Sequence, residues 1–134
     1  MTAIDPQQEI FIALRAAVST VAEEMGCGLY DTVLPPEDTP YPFVYFGYTQ
    51  QIDSRNKSQI NGTVFQTVDV WHNDVKKRGD VSAIMLAVKQ ACFKVRRTKA
   101  YVVEVTLDDQ EIRPDTSLQT ALIRGIMNFR IYFT

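Results

Sequence analysis

The residues able to do chemistry are few, and their spacing defines no reaction centre. His72 is the only histidine, beside Trp71 and Asp74. An imidazole can act as general acid or base, but no nucleophile or second base stands at a defined interval from it. A polar residue at the end of a strand is the simpler reading. Asp108, Asp109 and Glu111 put three carboxylates within four residues. They lack the spaced ligands and glycine of a calcium loop and are expected on a solvated turn. Cys27 and Cys92 lie far apart, and with one histidine they fall short of a zinc set. They are expected as buried, reduced thiols. No glycine-rich phosphate cradle occurs. Arg78-Gly79-Asp80 is expected as a turn followed by a helix cap, and the two Asn-x-Ser/Thr sequences, at Asn56 and Asn61, as coincidence. No catalytic residue, cofactor or metal is therefore expected.

The composition is that of an ordinary globular chain. It has 134 residues, 46% apolar and 22% charged, with a formal net charge of −2. That length suits one domain spanning residues 1–134 and a substantial core. The charge gives no overall field to attract nucleic acid. "MTAIDPQQE" has no basic segment of a secretion signal, and no apolar run reaches the roughly 20 residues of a membrane helix. Synthesis and folding in a reducing cytoplasm, without a membrane, are expected.

The elements that would position these residues follow from periodicity. Asp5-Pro6-Gln7-Gln8 is a helix start, and Ile10, Leu14, Ala17, Val21 and Met25 keep helical spacing up to a stop at Gly26. The spacing predicts a helix over about 6–25. Leu29–Val33 is a short strand. "LPPEDTPYP", residues 34–42, carries four prolines. Each lacks an N–H and restricts the residue before it, so the segment is a stiff extended connector. Phe43–Tyr48 is a second strand and Thr63–His72 a third, with Val64, Val68 and Val70 on one face and Phe65 and Trp71 on the other. Asp80 is expected to cap a second helix with the stripe Val81, Ile84, Val88, Cys92 and Val95. Tyr101, Val103, Val105 and Leu107 alternate as a strand. "DDQ" is expected as a turn, 111–121 as irregular or a short edge strand, and Ile123–Phe133 as the last strand. The class is α+β, with a mostly antiparallel sheet of about five strands on two helices, in the order α-β-β-β-α-β-β.

Three features point to assembly. The polar stretch 49–62 is long for a loop in a compact domain. Ile52 and Ile60 anchor it and Asp53, Arg55 and Lys57 charge it, so it is expected to be mobile in the free protein and to order on a neighbour. Lys94, Arg96, Arg97 and Lys99 cluster at the second helix end, where cations complement the helix dipole or meet an acidic partner surface or nucleic acid, though no aromatic platform is interleaved with them. Two helices cover one face of a sheet, so Phe46, Phe65, Trp71 and Tyr132 are expected on the other, needing a cover. The candidate interface is Ile52, Asp53, Arg55, Lys57, Ile60, Phe65, Trp71, Arg96, Arg97 and Lys99.

Taken in order, the leading helix, "LYDTV", "TPYPFVYFG", the polar loop ending at Gly62, "VFQTVDVWHN", the helix after Gly79-Asp80 and the closing "RGIMNFRIYF" resemble the tail completion proteins of long-tailed bacteriophages. These are also called tail terminators or tail-to-head joining proteins. The resemblance spans about residues 5–133 and points to a siphophage member. Its recurring marks are Tyr41-Pro42, Gly47 and Val70-Trp71. It implies a structural role in the virion: a ring of copies, commonly a hexamer, that caps the tail tube at its final length. The ring presents a surface to the head connector or stopper proteins. Its partners are then other copies, the tail tube protein and the head connector, with genome DNA passing through unread. It would be assembled in the host cytoplasm and reside at the head–tail junction. The residues alone also admit a small cytoplasmic module that holds a peptide or ligand on its sheet face or 49–62 loop, and, third, an enzyme using His72 and nearby acids.

Overall fold

The computed structural model describes residues 4–54, 60–116 and 120–134. The elements run α1 (Pro6–Glu24), β1 (Gly28–Asp31), β2 (Phe43–Asp53), β3 (Gly62–His72), α2 (Arg78–Phe93), β4 (Val103–Asp115) and β5 (Leu122–Phe133). The α+β class and the order of elements are those read from the sequence.

α1 begins where the Asp5 carboxylate accepts from the backbone N–H groups of Gln7 and Gln8, at 3.0 and 3.3 Å. It ends at Gly26, whose φ of 70° lets the Cys27 N–H return to the Ala22 carbonyl and the Gly26 N–H to Glu23. α2 starts earlier than the sequence suggested. Its cap position is Lys77, without a side-chain bond, and Asp80 lies in the first turn instead of capping it. A carboxylate there still suits the positive end of the helix dipole.

The sheet order is β1-β2-β3-β5-β4. All pairings are antiparallel except β1 with β2, which run parallel, with Gly28 opposite Phe43. A parallel neighbour requires the chain to travel back to the level where the first strand began. The proline connector makes that return. It leaves β1 through Thr32 at φ 69°, a turn held by the Thr32 N–H on the Phe46 carbonyl and by the Tyr45 hydroxyl donating to the Thr32 carbonyl at 2.9 Å.

Two stretches read as turn or loop are strand. β2 continues through Tyr48 to Asp53, so 49–53 belong to a long hairpin arm, and the expected loop shrinks accordingly. Residues 55–59 of it lie outside the described residues. The register slips between Phe46 and Thr49, so Gly47, read as a strand end, sits in a bulge. The buried Gln66 side chain donates to the Gly47 and Tyr48 carbonyls there, at 3.4 and 3.3 Å. β4 likewise runs straight through "DDQ" to Asp115, with a register slip between Leu107 and Asp109 that absorbs one extra residue. The three acids are therefore on an edge strand, not a turn.

α1 packs on β1 and β2, α2 on β3, β5 and β4, and the helices pack on each other. Between helices and sheet lie Ile10, Leu14, Val18, Val44, Phe46, Val64, Val68, Val88, Met127, Phe129 and Ile131, all 2% exposed or less. Phe46 is among them, edge-on to Phe11, so it needs no further cover. It pairs with Val68 as Val44 pairs with Val70, in unbroken alternation that sets both on the helix side of β2. Val95 lies past the end of α2 yet still packs on this core. At Gly125 the approach is tightest: a Cβ would stand 2.4 Å from the Met85 sulfur.

Candidate assembly interface

The strand register defines two opposite ends of the sheet. At one, Asp53 pairs with Gly62, Gly62 with Phe133, and Phe133 with Val103. At the other, Gly28, Phe43, Trp71 and Arg124 share a level.

The first end gathers most of the expected interface. Ile52 and Ile60 are 52% and 51% exposed on the two arms of the β2–β3 hairpin, closed by the Ser54 N–H on the Asn61 carbonyl. Asp53 accepts from the Gln51 side chain at 2.6 Å. Arg55 and Lys57 lie outside the described residues. Arg96, Arg97 and Lys99 are exposed at this same end. They do not cap α2, which stops at Phe93 with Lys94 at its C-cap. They occupy a tight turn in which Val103 N–H meets the Arg96 carbonyl and Arg97 bridges Val102. Glu9 of α1 clamps this turn, accepting from the Thr98 hydroxyl at 2.8 Å and the Ala100 N–H at 3.0 Å. The Tyr101 hydroxyl donates to the Ile4 carbonyl.

Phe65 and Trp71 lie on the sheet face that the helices leave open, but neither is bare. Arg130 lies over Phe65 at 5.1 Å and Arg124 over Trp71 at 4.8 Å. Arg130 is in turn held by Asp108, Asn128 by Asp109, and Thr67 by Asn128. The open face is thus a polar ladder that covers its own aromatic rings. Of the four aromatics expected to need a cover, Tyr132 is the exposed one, at 43%.

Trp71 belongs to the second end, six residues along β3 from Phe65 and so about 20 Å away at strand rise. It packs with Phe43 and Leu122, flanked by Tyr30, Tyr41 and Tyr45. The connector folds over this cluster, and Leu34, Pro35, Pro36, Glu37 and Tyr41 complete a recess of about 240 Å³. Arg124, which lies over Trp71, bonds Asp69, 1% exposed, at 2.7 Å through one carboxylate oxygen. Among the described residues, its other oxygen and the Trp71 Nε1–H have no partner. Burial raises the Asp69 pKa and outweighs the opposing hydrogen bond and charge of Arg124. An acid between Val68 and Val70 is the one sequence signal that marked this place, and it went unread.

The residues singled out for chemistry are engaged separately among the described residues. His72 Nδ1 accepts from the Asp74 N–H at 3.2 Å. Glu111 pairs with Arg113, so the β4 carboxylates are engaged separately, and no cluster of three metal-ligating residues occurs among the described residues. Cys27 and Cys92 are free and buried, and burial pushes the Cys92 thiol up to about 12. No described helix is long and apolar enough to cross a membrane.

The family model described as "Tail completion protein gp17" matches residues 8–134. The chain belongs to the tail completion protein gp17 family. By that membership it is a phage tail structural protein, a component of a virion. No curated protein matches it. Among solved structures, a chain of "Virion of native gene transfer agent (GTA) particle" superposes with a TM-score of 0.73 at 18% identity, covering 96% of this chain and 93% of that one. A second solved chain gives a TM-score of 0.57 at 12% identity, covering 97% of each. At these identities the tail completion chain shares a fold with both.

Proposed function

We propose that this protein, acting as a single domain, caps the phage tail tube at its final length as a ring of copies, of which six is the expected number. The capped end then presents the surface that head connector or stopper proteins bind. The observation that carries this reading is the tail completion match over residues 8–134.

The geometry supports it. A joining subunit needs two different surfaces facing apart. This one has a hairpin end with Ile52, Asp53, Ile60, Arg96, Arg97 and Lys99, and an opposite end with the proline connector over Trp71. Genome DNA would pass through the ring without being read, and the net charge of −2 keeps its attraction to the wall low. Assembly would take place in the host cytoplasm.

The test is the length distribution of tail tubes grown with and without the protein, imaged by electron microscopy with the protein located on them. Protein at one tube end and arrested growth there are expected. Unchanged growth with undecorated ends would favour a ligand-binding module, whose melting temperature a small molecule would raise.

A further inference from the structure

Two kinds of cover lie over rings on the open face of the sheet. Near the hairpin end Phe65 lies under Arg130. At the connector end Phe43, Trp71 and Leu122 form a cluster of their own, apart from the core beneath the helices, and the connector roofs it. Phe43 sits among the rings of Tyr30, Tyr41 and Trp71, at centroid distances of 5.5, 5.2 and 6.5 Å. The roof does not fill the space. A recess of about 240 Å³ remains between these rings and the connector residues Leu34 to Glu37.

Three properties of the recess define its guest. Its volume exceeds the roughly 150 Å³ of a cavity that holds benzene, so one ring-bearing side chain fits. Its walls are rings and prolines, and a ring packs well edge-on or offset against another ring. Its one charged wall residue is Glu37. Glu37 and Asp38 stand at the tip of a turn closed by the Thr39 N–H on the Pro36 carbonyl at 3.0 Å. Both are exposed and in no ion pair among the described residues, which suits basic residues beside the guest ring. The apolar surface also runs past the recess: Leu34, in its wall, is 55% exposed and Val33 before it 72%. A free small molecule would fill the hole and leave these bare, whereas a polypeptide carrying the ring would cover them. The prolines hold the wall in place, so little freedom is lost when the guest enters.

We propose that this recess is a socket for one aromatic side chain of a partner protein, carried on an extended segment with lysine or arginine beside it. A ring anchored in a pocket inside a polar rim gives a small contact most of its affinity. That the partner is a virion component rests on the function proposed above; the chemistry of the socket does not.

Trp71 is the only tryptophan, and its Nε1–H has no partner among the described residues. The isotope-labelled full chain therefore gives a single indole resonance, from a wall of the recess, and the test follows it by NMR. Acetyl-Lys-Phe-Lys-amide is expected to displace it saturably below about 10 mM. Acetyl-Lys-Ala-Lys-amide should bind at least about tenfold more weakly, because it brings no ring to bury. Acetyl-Glu-Phe-Glu-amide should also bind more weakly, by a factor that about 500 mM salt reduces. Glu37→Lys with Asp38→Lys should exchange the preference between the two Phe peptides, and Leu34→Ser should weaken both. All three side chains are exposed, and circular dichroism checks that the variants fold.

A resonance that stays still up to about 10 mM peptide, an Ala peptide equal to the Phe peptide, or a preference that the reversed turn fails to exchange would each overturn the proposal. So would equal binding of acetyl-phenylalanine amide, which would assign the recess to a small neutral ligand. A resonance that moves with protein concentration alone would assign it to a second copy and overturn the proposal as well. A still resonance in a protein that caps tubes normally would overturn the socket and leave capping in place. Saturable binding by a protein that never caps a tube would do the opposite.

Discussion

Asp69 and Arg124 hold the one buried charge pair among the described residues, and its two sides are unequal. The Asp69 side chain is 2% exposed and that of Arg124 25%. Arg124→Met strands a carboxylate in the sheet, and the loss expected in urea unfolding is about 3–5 kcal/mol. The pH dependence has a definite sign. Burial raises the folded pKa of Asp69 above its ordinary value, so between the two values the folded state holds the proton more tightly. Its contribution to stability is therefore greatest below the ordinary carboxylate range and is lost as pH rises through the folded value. Urea titrations across that window should show this loss in the wild type and lack it in Asp69→Asn. Identical pH profiles would mean that Asp69 ionises as freely in the fold as in the unfolded chain.

At the scale of elements, two local devices keep the long hairpin and the parallel edge in place. Gln66 is 3% exposed and serves the bulge carbonyls of Gly47 and Tyr48. Gln66→Leu keeps the volume and removes the donor, so a loss of about 1–3 kcal/mol is expected, with faster amide exchange along 49–53. The connector stabilises differently. Pro35 and Pro36 restrict the unfolded chain, and replacing both with Ala should cost about 0.4–1 kcal/mol each. We expect tail joining to weaken as well, because the connector closes the recess over Trp71. A double variant that joins tails normally would show that stiffness there serves stability alone.

For the whole molecule, the two ends of the sheet should separate fold from assembly. Ile52 and Ile60 are half exposed on the hairpin arms. Ile52→Ser with Ile60→Ser should leave unfolding within the roughly 0.5 kcal/mol typical of surface changes while reducing the fraction of capped tubes. Normal capping by this variant would move the tube contact to the connector end or to the helix flanks.

The sequence by itself determined the elements and their class, because capping, helical spacing and strand alternation are local. Asp5 and Gly26 bounded α1, and the alternation from Val103 to Leu107 and from Met127 to Phe133 set the buried faces. It determined the family as well, through the order of those elements. It misplaced what depends on long-range pairing. "DDQ" has turn composition, yet it is held as strand by β5 through a register slip, and 49–53 is polar, yet it is held by β3. Phe46 was put on the wrong face because β2 is apolar on both faces, and only its pairing with Val68 shows that it joins Val44 on the helix side. Only the tertiary structure decided that Arg130 and Arg124 cover Phe65 and Trp71, since cross-strand neighbours more than fifty residues apart leave no local periodicity.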